Sequence, residues 1–142
     1  MAASIVETQV TWAAAASKTV AANTIQWSDA MPLTVLDDAY QLQVSADNAG
    51  TPASGDTCIV YIARSTGDIL GDTGADFDTD EHGEFVMMLD TYAANTPGED
   101  PARKTVPVDI TGCTSYKVGV LCAQAATRNI VVRARMGCQR PI

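Results

Sequence analysis

Asp76, Asp78 and Asp80 stand at alternate positions in the segment Asp76-Phe77-Asp78-Thr79-Asp80-Glu81-His82-Gly83-Glu84. Carboxylates spaced in this way converge on a hard cation such as calcium when the loop curls around it. An EF-hand needs Gly at its sixth position and Glu at its twelfth. Counted from Asp76 those positions hold Glu81 and Met87, so the match fails. The plainer reading is a solvated acidic loop between strands. Calcium is the one cofactor this segment leaves open, and no other cofactor is indicated.

His82 is the only histidine, so a catalytic triad or a Cys–His dyad would have to use it. Flanking carboxylates favour its charged form, which suits a general base poorly. There is no G-x-S-x-G elbow, no G-x-x-x-x-G-K-[ST] loop and no G-x-G-x-x-G turn, and nothing selects one carboxylate pair for glycoside hydrolysis. Cys58, Cys113, Cys122 and Cys138 have no C-x-x-C spacing. Cys58 and Cys122 sit in apolar runs, where a free thiol behaves as a small hydrophobe. The expectation is buried thiols, with a disulfide as the alternative, no metal site on cysteine and no enzyme.

The bases point elsewhere. From Asp29 to Asp100 the chain carries fifteen acids and one base, Arg64; from Pro101 onward it carries seven bases and one acid, Asp109. With Glu7 balancing Lys18 in the first 28 residues, the segments hold 0, −14 and +6, summing to the net −8. Such polarity bears on association rather than on fold. Arg133 and Arg135 project to one face of a strand, and Lys117, Arg128 and Arg140 are candidates to join them. The functional reading is a patch that docks on an acidic partner, set against a solvated outer face. Nucleic acid is not expected: the bases are few and the overall charge repels phosphate.

The elements that position these groups are strands. Thirteen Val, eight Ile and sixteen Thr outweigh six Leu, which suits pleated surfaces better than helices. Period-two alternation runs through Val6–Trp12 and Tyr40–Ala46 and marks half-buried strands. Ile25 and Trp27 continue it in a shorter segment, and both tryptophans fall in the apolar phase, which places them in the core. Cys58–Ala63 and Phe85–Leu89 are apolar on both faces and read as central. Pro107, within Thr105–Ile110, cannot donate to a ladder and argues for an edge. Tyr116–Cys122 and Ile130–Met136 are the last two strands and read as a hairpin. Trp12–Lys18 reads as a strand end and turn, with one helical turn as the alternative, and Asp90–Lys104 as a long polar loop.

These segments predict an all-β chain: an antiparallel β-sandwich or jelly-roll-like fold of seven to nine short strands. One domain is expected over 1–142, with an N-terminal arm at about 1–12 and a basic C-terminal hairpin and tail at about 115–142. No apolar run reaches the roughly 18 residues that span a bilayer, so no membrane partner is expected. The start lacks a basic and an apolar signal region, which predicts folding in a reducing cytoplasm.

The phrase Thr8-Gln9-Val10-Thr11-Trp12 through Ala16-Ser17-Lys18-Thr19-Val20, with abundant Ala, Thr, Val and Asp and few Lys, resembles virion structural proteins of tailed bacteriophages. The resemblance is to capsid decoration (cement) proteins and small tail or fibre-associated sandwiches. It implies a non-enzymatic structural protein of the virion, made in the host cytoplasm. Such a protein binds the major capsid protein or another virion protein and stabilises the shell as a homo-oligomer, a trimer first of all. The alternative is a glycan- or host-surface-binding module of a tail or fibre, assisted by calcium in the Asp76–Glu84 loop. No site residue carries over from the resemblance.

Overall fold

The computed structural model describes residues 3–48, 53–67, 70, 77, 83–94, 102–124 and 129–142. Ten strands run through them: β1 (Ala3–Gln9), β2 (Lys18–Val20), β3 (Ile25–Trp27), β4 (Met31–Pro32), β5 (Asp38–Asn48), β6 (Thr57–Ser65), β7 (Glu84–Asp90), β8 (Ala102–Pro107), β9 (Ser115–Ala123) and β10 (Ile130–Pro141). One helical turn, α1 (Thr91–Ala94), follows β7. None of the described helix is long and apolar enough to cross a membrane.

The strands form two antiparallel sheets of five. The first runs β1-β10-β5-β8, with β2 sharing β1's flank of β10; the second runs β3-β9-β6-β7, with β4 sharing β3's flank of β9. Setting aside the short β2 and β4 leaves eight strands. Consecutive members of that set lie in opposite sheets except β6 and β7, which pair directly. This back-and-forth winding of eight strands into two four-stranded layers is a jelly roll. The sandwich expected from alternation is therefore present, with the jelly-roll variant selected.

The winding corrects one expectation. β9 and β10 do not form a hairpin: β9 pairs with β6 in the second sheet, and β10 with β1 and β5 in the first. Period two reports that a segment is a strand, not which strand it will pair with. Two further placements differ. Phe85–Leu89 lies in β7 at the edge of its sheet, with Phe85 64% and Met88 50% exposed. Part of the expected polar loop, from Ala102, is strand β8. β6 is interior as expected, and β8, ending at Pro107, is an edge. The N-terminal segment Ala3–Gln9 is paired along its whole length with β10.

The core lies between the layers and is built by the inward phase of each strand. From the first sheet come Leu42, Val44, Ile130, Val132, Ala134 and Met136; from the second, Val60, Ile62, Met87, Val118 and Val120. Burying each such side chain stabilises the fold by roughly 1.5–3 kcal/mol. Trp12 joins this core at 3% exposure. Trp27 does not. Its strand pairs with the outward phase of β9, Ile25 opposite Leu121 and Trp27 opposite Gly119, and directly opposed residues share a face.

Candidate functional surfaces

The described residues carry chemistry on two outer faces, in one turn and at one end of the core. The outer face of the first sheet is assembled by register. Gln9, Arg135, Gln43 and Thr105 stand opposite one another across four strands, and the next row holds Arg133, Ser45 and Arg103. The short Ser45 between two long arginines leaves an open depression of about 190 Å³, also lined by Gln9, Gln43 and Arg135. Arg135 donates to Glu7 at 3.1 Å. Asp47, opposite Val131, is the other carboxylate of this face. Among the described residues, Arg103 and Arg133 make no ion pair.

Of the five bases singled out from sequence, the fold brings Arg133 and Arg135 together and separates the rest. Lys117 lies on the other sheet, on β9, with its ammonium 5.1 Å from the centre of the Phe77 ring. It cannot join the arginines, because the hairpin that would have placed it there does not form. Arg140 is held by Asp37 through two bonds, Nε to Oδ1 at 2.8 Å and Nη2 to Oδ2 at 2.9 Å. Arg128 lies outside the described residues, as do Asp76, Asp78, Asp80 and His82. Among the described residues no three metal-ligating side chains gather. Arg103 was missed because its strand was read as loop. Its signal was the alternation of Val106 and Val108, which extends back through Lys104 to Ala102.

The outer face of the second sheet is apolar in its two central rows, with Lys117 opposite Ala63 in the row on one side and Asp90 opposite Thr57 on the other. One row reads Ile25, Leu121, Ile59 and Met88; the next reads Trp27, Gly119, Tyr61 and Phe85. Neither row holds a charge. The Trp27 indole rests on Gly119, and Tyr61 meets Phe85 edge to face with centroids 6.4 Å apart. At the rim Arg64 pairs with Glu84 and donates to the Asp109 carbonyl at 3.0 Å.

Asp29 builds the turn that precedes β2. Trp12 and Ala15 exchange backbone bonds of 2.8 and 2.9 Å, closing a two-residue turn whose central residues, Ala13 and Ala14, sit at φ of 47° and 67°. This left-handed pair is the hairpin geometry that Asn-Gly favours, and alanine adopts it only under strain. Asp29 holds it there, accepting from the Ala13 and Ala14 amides at 3.0 and 2.9 Å and from the Thr11 hydroxyl at 2.7 Å. Those bonds, the Ala14 amide foremost, hold its carboxyl below the usual carboxylate range.

Titratable groups gather at one end of the core, where Asp37, Tyr40, Tyr116, Cys138 and Arg140 line a cavity of about 40 Å³. That volume has room for water and none for a substrate, which takes roughly 300 Å³ or more. The Arg140 guanidinium holds the Asp37 carboxyl below its usual value. Burial pushes Tyr116 and Cys138 up, the charge on Asp37 adding to the shift at Cys138. Cys58 and Cys122 face each other across β6 and β9 as buried cysteines outside any disulfide; burial pushes Cys58 up to about 12 and raises Cys122 as well. Raised in this way, these three thiols carry less of the reactive thiolate at neutral pH than an exposed cysteine does.

At the opposite end, Asp56 is fully buried. It accepts from the Ala53 amide at 2.9 Å, and the Gln124 amide, with its nitrogen turned toward it, donates to both its oxygens at 2.8 and 3.2 Å. The pairing ties the residues before β6 to the end of β9.

No family model and no curated protein matches the chain. Two solved structures resemble it across 98% of its length. One is a chain of the cyanophage Pam1 capsid asymmetric unit, 13% identical over 86% of that chain with a TM-score of 0.47. The other is a chain of the acid-stable capsid of Helicobacter pylori bacteriophage KHP30, 16% identical over 95% of that chain with a TM-score of 0.37. At this level of similarity neither assigns a family or an activity.

Proposed function

We propose that this chain is a non-enzymatic structural protein of a phage particle, which binds the capsid surface and stabilises the shell as an oligomer. The observation that carries the reading is the outer face of the first sheet. It sets Arg103, Arg133 and Arg135 among glutamine, serine and threonine side chains, around an open depression on the sheet. A polar face on which Arg103 and Arg133 make no ion pair among the described residues suits an acidic protein surface, because planar guanidinium forks bind carboxylates in pairs. The titratable cluster at the end of the core encloses only about 40 Å³. The major capsid protein is the partner this reading favours. The jelly roll is used by both viral capsid and lectin domains, so the architecture alone does not choose between them.

The test is re-binding to particles stripped of the chain. The native protein should co-sediment saturably, and the double reversal Arg103→Glu, Arg133→Glu should abolish this while leaving the melting temperature nearly unchanged. Full binding by the reversed protein would remove the arginine face from the reading.

The second face supports an alternative, a glycan- or host-surface-binding module. Trp27, half-buried, lies against Gly119 in an uncharged row with Tyr61 and Phe85, and aromatic rings that reach solvent are the platforms on which sugars stack. Retention on a polysaccharide matrix that is lost in Trp27→Ala would favour it, and calcium dependence of that retention would implicate Asp76, Asp78 and Asp80.

A further inference from the structure

A β-sandwich has four sheet edges, and an edge with free amides and carbonyls is a template for another strand unless something blunts it. Three of the four are blunted here. β8 carries Arg103, Lys104 and Pro107. β7 is bulged: Val60 pairs with Met87 and the next β6 residue, Tyr61, with Phe85, leaving Val86 as the extra residue. The β3–β4 flank consists of strands of three and two residues, the second ending in Pro32.

β1 differs. It is seven residues long, contains no Lys, Arg or Pro, and keeps an unbroken register with β10 from Ala3–Pro141 to Gln9–Arg135. Among the described residues no strand pairs with its other side. The Val10 amide donates to Ala134 at 2.9 Å, which fixes the phase. By alternation Ser4, Val6 and Thr8 turn their backbone groups to β10, and Ala3, Ile5, Glu7 and Gln9 turn theirs outward. Ile5 also exposes 69% of its surface at this edge.

We infer that β1 pairs antiparallel with the β1 of a second copy, joining the two first sheets into one continuous sheet across a two-fold axis. A second copy is the favoured occupant because the segment is compatible with itself. Centred on Val6, the register sets Val6 against the second copy's Val6, Ile5 against its Glu7 and Ala3 against its Gln9, so all seven residues of β1 find partners. The four outward residues are then the bonded pairs, giving roughly eight backbone hydrogen bonds. No like charges are opposed, and Glu7 is already neutralised by Arg135. An isologous contact of this kind closes on itself and covers the β1 edge in both copies.

The inference deepens the oligomer in the reading above and is tested apart from it. Light scattering coupled to size exclusion, at low and at high salt, should give twice the chain mass of 14.9 kDa in both, because backbone bonds and apolar contact are little screened. Ile5→Pro removes an amide that bonds nothing among the described residues and blocks the edge, so it should give a folded monomer. Ile5→Lys, which leaves the backbone unchanged, should do the same. A native monomer at the highest soluble concentration, a trimer, or a dimer unaffected by both substitutions would overturn the inference. Shell binding is read separately, on stripped particles, and can hold when this pairing fails.

Discussion

Trp27 occupies the space that any side chain at Gly119 would need. A Cβ on that glycine would stand 2.7–2.8 Å from three carbons of the indole, closer than real contacts allow. The two residues are opposed in the β3–β9 register, so the glycine provides the seat and the ring covers the strand behind it.

Gly119→Ala should therefore unseat the indole. Overpacking of this kind costs about 1–3 kcal/mol. The expected outcome is a lower melting temperature together with a red-shifted tryptophan emission. A stable protein with unchanged emission would contradict the packing described.

The strained turn makes the opposite prediction. Replacing Ala13-Ala14 by Asn-Gly supplies the residues that left-handed geometry prefers and should stabilise the fold by about 0.5–1 kcal/mol. Asp29→Ala should lower the melting temperature of the native chain, and by less once Asn-Gly is in place. Denaturant titration of the four proteins measures that coupling.

Asp29 and Asp37 both have folded-state pKa values below the ordinary 3.8. Their contribution is fully present above the unfolded value and is lost as pH falls through the folded one. Thermal melts should thus show Arg140→Ala well below wild type at pH 7, with the gap narrowing as pH falls below about 3.8 and Asp37 takes up a proton in both proteins. A gap that does not depend on pH would mean that Arg140 acts through packing alone.

Thiol labelling checks the core. In the native protein Cys113, the half-buried cysteine, should react at a measurable rate, while Cys58, Cys122 and Cys138 wait for opening of the sheets. All four should react in denaturant. Rapid native labelling of Cys58 would contradict its burial.

The sequence made the strands legible because each inner face had to be apolar at period two. Leu42, Val44, Val118, Val120, Ile130 and Val132 are buried in the phase alternation assigns. Pairing was not legible, because register and sheet membership depend on contacts far apart in the chain. Lys117 was accordingly set beside Arg133 and Arg135 although it belongs to the other layer. Trp27 was misassigned for a related reason: a three-residue strand takes its face from its partner, and Gly119, the residue that seats the ring, has no side chain to advertise it. Asp29 and Asp37 looked like members of an acidic run, whereas one closes a turn and the other holds the last strand through Arg140.

The most direct test of the proposed virion role is the protein content of density-gradient-purified phage particles from cells that make this chain. The account predicts the chain in a fixed ratio to the major capsid protein, set by the symmetry of the shell. Its absence from such particles, with the chain recovered only in the soluble fraction, would contradict a structural role in the virion.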